Sequence, residues 1–228
     1  MIIDLFGDSF IYGSCADYDN DRKMNIDYFL KEKNWNTTNH GYNGSNNTEI
    51  LSSIEQYPFV DESFCVVGVT SFLRENLPFL DFASSWGRNI LREDKYDHPN
   101  LTDTKNNELW KDYLIYCYDE EYFNTIYKCW MLKVKHLLDN TPNVKGYLFV
   151  NTVESYKKPD FVDEKNYLYT NSSITNMLLD KKEPTLFERG LDIQSRKNEE
   201  KFIKGRAHPS TKGYEIVAND IHDILYNT

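Results

Sequence analysis

The order of elements along this 228-residue chain predicts an α/β domain with a mainly parallel central sheet. Three observations carry that expectation. Short β-branched and aromatic runs, which read as buried strands, alternate with stretches of helical spacing. The strongest run, Ser63–Val69 (SFCVVGV), is almost continuously apolar, as expected where both faces of a parallel strand are covered. The residue types that carry chemistry stand just beyond such runs, where the loops of an open parallel sheet collect.

The elements follow in order. Ile2–Phe6 reads as the first strand, ended by Gly7. Residues 24–33 have helical spacing, with Ile26, Phe29 and Leu30 on one side, and 37–42 form a second, weaker strand. The stretch 41–47 (GYNGSNN) is a loop by composition. Residues 48–55 read as a helix capped by Thr48, and Ser63–Val69 is the third strand. From 71 to about 106 the chain is irregular, broken by Pro78, Trp86-Gly87 and Pro99, which reads as a large insertion after the third strand. Residues 108–139 form a long helix, broken once near Asp119, whose buried stripe is Phe123, Ile126, Trp130, Val134, Leu137 and Leu138. Another buried strand covers 144–152, and 153–204 is polar, with a short helical piece at 174–180. The chain closes on an amphipathic helix, 210–227, with Tyr214, Val217, Ala218, Ile221 and Leu225 facing inward.

Composition bounds the rest. Apolar residues make up 40% and aromatics 15%, enough for a proper core in one domain spanning 1–228. The net charge of −10 argues against a nucleic-acid partner, since phosphate binding needs a basic face; a local basic patch remains around Lys197, Lys204 and Arg206. The four cysteines, Cys15, Cys65, Cys117 and Cys129, form no C-x-x-C or Cys/His ligand cluster, so free thiols and no metal are expected. No run of about 18 apolar residues exists, so no membrane span is expected. A strand beginning at Ile2 leaves no room for a leader, which makes the cytoplasm the expected compartment. The rich Asn, Lys, Tyr and Ile usage fits a low-GC bacterium or a phage.

Four short stretches carry candidate chemistry. Ser9 follows Gly7-Asp8 at the end of the first strand, where a helix start would direct N–H groups toward its hydroxyl; the plainer alternative is a helix cap. His208, followed by Pro209 and Ser210, precedes the last helix and is the base type that a serine nucleophile needs at neutral pH. Gly44 in the loop after the second strand offers an N–H to a developing oxyanion. Thr70 and Ser71 emerge beyond the third strand, where a further donor fits, and Arg74 after them suits a substrate carboxylate or phosphate, or a surface ion pair with Glu75. The topology of such a fold gathers all four at one edge of the sheet.

Gly7-Asp8-Ser9, Gly44 and His208-Pro209-Ser210, in this order and placement, resemble the blocks of the SGNH (GDSL-type) hydrolases. The resemblance runs through the whole chain in short pieces. It implies a flavodoxin-like three-layer α/β/α sandwich and a serine esterase or deacetylase acting without cofactor. It assigns the nucleophile and one oxyanion N–H to Ser9, a second donor to Gly44 and the base to His208. Two departures stand out. The family's G-x-N block reads Gly68-Val69-Thr70, leaving Thr70 or Ser71 to replace the usual Asn donor. The D-x-x-H block reads Gly205-Arg206-Ala207-His208, so a loop carbonyl, Asp192 or Glu199 must orient the imidazole, or the site works as a dyad or is inactive. The expected substrate is a small-molecule or carbohydrate ester, an O-acetyl or other short acyl group, with 72–106 and 153–204 as substrate walls. Acyl transfer to a sugar is a variant within the enzyme class. The alternative class is a catalytically weak or inactive relative that binds a glycan or a protein.

Overall fold

Alternation along three strands builds the molecule. Ile3 and Leu5, Val66, and Leu148 and Val150 are fully buried on one side of the sheet; Phe6, Cys65, Val67, Val69 and Phe149 are buried on the other. Each such side chain contributes about 1.5–3 kcal/mol when fully buried. The computed structural model describes residues 2–14, 16–70, 120–153, 155–178, 201 and 208–227. Within them, β1 (Ile2–Phe6), β4 (Asn36–Asn39), β5 (Ser63–Val69), β6 (Val144–Asn151) and β7 (Tyr167–Leu168) form one sheet in the order β4-β1-β5-β6-β7. Every pairing in it is parallel. Ranked along the chain, the strands stand 2-1-3-4-5, the flavodoxin-like order, in which ligands sit outside the carboxyl ends near the first and third strands.

Helices cover both faces. On one side α2 (Ile26–Glu32) and α6 (Thr211–Tyr226) bury Ile26, Leu30, Tyr214, Val217, Ala218, Ile221 and Leu225. On the other, α3 (Asn47–Gln56) and α4 (Glu120–Asp139) bury Ile50, Ile54, Trp130, Val134 and Leu138. The stripe of α4 also includes Tyr127 and Met131. This is the expected three-layer α/β/α arrangement. The cap of α3 is Asn46, not Thr48: Asn46 Oδ1 accepts from Glu49 N while Glu49 Oε2 accepts from Asn46 N, both at 2.9 Å. A reciprocal capping box satisfies two orphan donors and so outcompetes a single hydroxyl. The insertion at 72–106 and residues 108–119 of the expected long helix lie outside the described residues.

Three short strands, β2 (Tyr18–Asp19), β3 (Arg22–Lys23) and β7, have no counterpart in the sequence reading. The first two form an antiparallel hairpin closed by Asn20 and Asp21, both at positive φ, the geometry of a two-residue turn. In the polar stretch after β6, β7 extends the sheet, and the short helical piece expected at 174–180 is present as α5 (Ile174–Leu178), which joins the core. The fully buried Asn151 holds that stretch: its Nδ2 donates to the carbonyls of Tyr156, Tyr169 and Ser172, and its Oδ1 accepts from the Tyr167 hydroxyl at 2.7 Å.

A four-residue helix, α1 (Ser9–Tyr12), sits hard against the sheet. A Cβ on Gly7 would lie 2.3 Å from Ile11 Cγ1, and one on Gly68 would lie 2.6 Å from the same atom. The ends of β1 and β5 thus form a notch that admits Ile11. Gly7 is needed for room, since its φ is not in the left-handed region. Gly68→Ala is expected to lower stability by about 1–3 kcal/mol in urea unfolding. Ile11→Ala should absorb most of that effect in a double-mutant cycle, because it removes the colliding atom.

Tyr169 reaches from the end of β7 to α6, its hydroxyl donating to Asp220 Oδ2 at 2.6 Å. Burial raises the Asp220 pKa, helped by the nearby Asp223 charge and opposed by the Tyr169 hydrogen bond. A carboxyl raised in the folded state favours folding below its unfolded value of about 3.9, and that contribution is lost as pH climbs through the raised one. Asp220→Asn removes the titration, so in paired melts the variant should gain on the parent as pH rises from about 3.5 to 7.

Candidate active site

At the carboxyl end of β1 the chain turns at Asp8 into α1. Asp8 is the N-cap: its Oδ1 accepts from Phe10 N at 3.0 Å. Gly13 closes the helix in the left-handed conformation, and Gly13 N and Ser14 N both donate to Ser9 O. Ser9 is the first helical residue and is 6% exposed. Its N–H is one of the orphan donors of a helix start and has no acceptor among the described residues.

The Asp8 carboxylate is fully buried. Its second oxygen accepts from the Thr70 hydroxyl at 2.7 Å and lies 3.3 Å from that of Thr152. These two threonines follow β5 and β6, so one side chain ties three adjacent strand ends together directly beside Ser9. Thr70 is held in turn by Asn47, whose amide pairs with its backbone N–H and carbonyl at 3.1 and 2.9 Å. The Thr70 hydroxyl, expected to serve an oxyanion, thus has a partner in Asp8. A hydroxyl has one proton, and here it goes to Asp8. Thr70 supports Ser9 through Asp8.

His208 comes from the far end of the chain. Its Nε2 stands 3.0 Å from Ser9 Oγ, across 199 residues, and its ring lies 5.3 Å from that of Phe10. The placement follows from how α6 starts. Ser210 caps it through Gly213 N, Thr211 Oγ1 donates to Asp17 Oδ2 at 2.7 Å, and Tyr214 OH donates to Ser14 O at 3.2 Å. Ser14 and Asp17 come just after α1, so the helix carrying His208 is pinned to the segment that carries Ser9. With Nε2 accepting from the serine, the ring proton must sit on Nδ1. Positions 205, 192 and 199, considered for orienting it, lie outside the described residues, as do Ser71 and Arg74.

The loop after β4 hangs on β1: His40 N donates to Leu5 O at 2.7 Å and Tyr42 N to Gly7 O at 3.0 Å. Gly44 within it has φ +79, and a Cβ there would meet nothing within 4 Å, so glycine answers to backbone conformation here. Its N–H has no acceptor among the described residues. The other described histidines have different partners: His40 Nε2 is 3.3 Å from Asp4 Oδ1, His222 Nδ1 accepts from Trp35 Nε1 at 2.8 Å, and His136 is near Asn140. Burial, with the Asp4 charge, pushes the Cys65 thiol far above its ordinary range, so it is no rival nucleophile. Among the described residues no three His, Cys, Asp or Glu side chains are grouped to hold a metal, and no helix is long and apolar enough to cross a membrane.

The fold recurs in a solved structure. A lipase from a goat rumen metagenome superposes with a TM-score of 0.52 over 99% of this chain and 98% of its own, at 13% identity. The two share a fold. A member of the lipolytic protein G-D-S-L family from Veillonella parvula DSM 2008 aligns over 100% and 99% of the two chains at 15% identity, with a TM-score of 0.48. An acetyl-xylooligosaccharide esterase from Geobacillus Stearmophilus aligns over 98% and 93% at 12% identity and 0.46. No protein-family profile and no curated protein matches the sequence.

Sequence reasoning placed Ser9 and His208 but passed over Asp8, Asn47 and Thr152. Their common signal was position: each is a short polar residue at a strand end or helix start beside an apolar run. Thr70→Val keeps the volume and deletes the donor to Asp8. It is expected to cost about 1.5–3 kcal/mol in urea unfolding, the range for a hydrogen bond to a charged group.

Proposed function

We propose that the protein is a serine ester hydrolase that removes an O-acetyl or other short acyl group from a carbohydrate. The observation that carries this reading is the 3.0 Å approach of His208 Nε2 to Ser9 Oγ. At that distance the imidazole takes the serine proton as Oγ attacks the acyl carbon. The tetrahedral intermediate collapses as the imidazolium returns the proton to the leaving alcohol, giving an acyl-serine. Water, deprotonated by the same imidazole, then attacks the acyl carbon and releases Ser9 and the acid.

The N–H groups of Ser9 and Gly44 are the donors proposed for the oxyanion, and both are without acceptors among the described residues. Ser71 remains a proposed further donor and Arg74 a proposed substrate contact. With the Thr70 hydroxyl committed to Asp8, the hole has fewer preorganised donors, and one missing donor typically costs about 10²–10³ in turnover. Modest turnover is therefore expected. A net charge of −10 disfavours nucleic acid as partner. The unpaired thiols of Cys65 and Cys129 suit the cytoplasm.

A fluorophosphonate probe should label Ser9. Ser9→Ala and His208→Ala should each lower p-nitrophenyl acetate hydrolysis by at least about 10³-fold without changing the melting transition. A parent protein that neither labels nor turns over would leave the glycan-binding alternative standing in its place.

A further inference from the structure

Beside the edge strand β4 lies a cleft of about 570 Å³ that neither Ser9 nor His208 lines. Small-molecule sites span roughly 300–1,000 Å³. The frame of the cleft is held by two asparagines. Asn25 donates to Tyr12 O and accepts from Tyr28 N, each at 3.0 Å; Asn39 donates to Ile11 O at 2.8 Å and accepts from Gly41 N at 2.9 Å. Lys23, delivered by the β2–β3 hairpin, donates to Tyr12 O at 3.1 Å and stands 3.5 Å from the centre of the Tyr12 ring. Asp27 takes the Lys31 ammonium and the Thr37 hydroxyl. All these groups serve the walls. Four others face no such demand. Among the described residues, the side chains of Arg22 and Glu32 have no ion-pair or hydrogen-bond partner, and the Tyr12 and Tyr28 hydroxyls have none either.

Charge decides what such a cleft can take. Arg22, Lys23 and Lys31 against Asp27 and Glu32 make three positive and two negative groups, on a chain of net charge −10. Lys31 is paired with Asp27, which leaves Arg22 and Lys23 beside Glu32: a lining of mixed sign, with no strong field to concentrate a polyanion or a polyamine. A ligand with many hydroxyls and no charge satisfies both sets. The planar Arg22 fork gives paired donors to neighbouring hydroxyls, Glu32 accepts from them, and phenol rings cover the C–H face of a sugar. We propose that this cleft is a subsite for a neutral pyranose ring. Tyr12 lies one helical turn beyond Ser9 in α1, so a ring held here belongs to the same oligosaccharide whose ester reaches Ser9. That last link rests on the hydrolase reading; binding in the cleft does not.

The test titrates the Ser9→Ala protein with xylotetraose, cellotetraose and N-acetylchitotetraose in a calorimeter, with inorganic phosphate and spermidine as charged controls. At least one oligosaccharide should bind saturably with Kd near or below about 1 mM. Arg22→Ala and Glu32→Ala, both exposed, should each weaken it about tenfold at unchanged melting temperature, a loss of about 1.4 kcal/mol. Binding by none of the three, binding indifferent to both variants, or phosphate as the preferred ligand would overturn the proposal. The two readings fail separately. Sugar binding in a protein without esterase activity sinks the hydrolase, and esterase activity without sugar binding sinks the subsite.

Discussion

A single buried carboxylate organises the end of the sheet. Leaving the Asp8 side chain in an apolar interior without partners would be costly, so its position is set wherever enough donors converge. They converge from Phe10 N in α1, from Thr70 after β5 and from Thr152 after β6. The constraint works in both directions. The strand ends are held in register by the acid, and the acid is held by the strand ends. Ser9 is the next residue, so its hydroxyl inherits that rigidity.

Packing adds a second restraint. Gly7 and Gly68 leave the notch that Ile11 enters, which presses α1 onto the ends of β1 and β5. The helix is too short to hold itself by its own hydrogen bonds. It persists because a cap, a left-handed Gly13 and the buried Ile11 restrain it from three sides. The tail of α1 then anchors the start of α6 through Ser14 and Asp17, while Trp35 and His222 fasten that helix further along. Since Trp Nε1 only donates, His222 Nδ1 is an acceptor there and plays a structural part. A serine and a histidine 199 residues apart meet because both are referred to one short stretch of chain.

The division of labour between the two faces of the sheet is also physical. Among its buried residues the face beneath α2 and α6 is aliphatic apart from Phe10, Trp35 and Tyr214, and α6 on this face follows directly on His208. The face beneath α3 and α4 is aromatic-rich. Its edge holds the Tyr127, Tyr167 and Asn151 chain, in which burial raises both phenols and keeps them neutral donors and acceptors. That chain orders residues 155–172 against β6, which is why a stretch reading as polar loop contributes the fifth strand.

Apolar periodicity is a local property, and the elements that rest on it were legible. β1, β5, β6, the burial of α6 and the parallel architecture all follow from which residues must leave water. Ser9 and His208 were legible too, because each stands alone at the edge of such an element. The hairpin of Asn20 and Asp21, the Asn46 cap, the Asn151 knot and the role of Thr70 were not. Each depends on which polar groups meet after the chain has closed, and a hydroxyl carries no mark of whether its proton will find a substrate or a neighbouring acid. Hydrophobic patterning chose the layers; hydrogen-bond partners, available only once distant strand ends stood side by side, chose the chemistry at their rim.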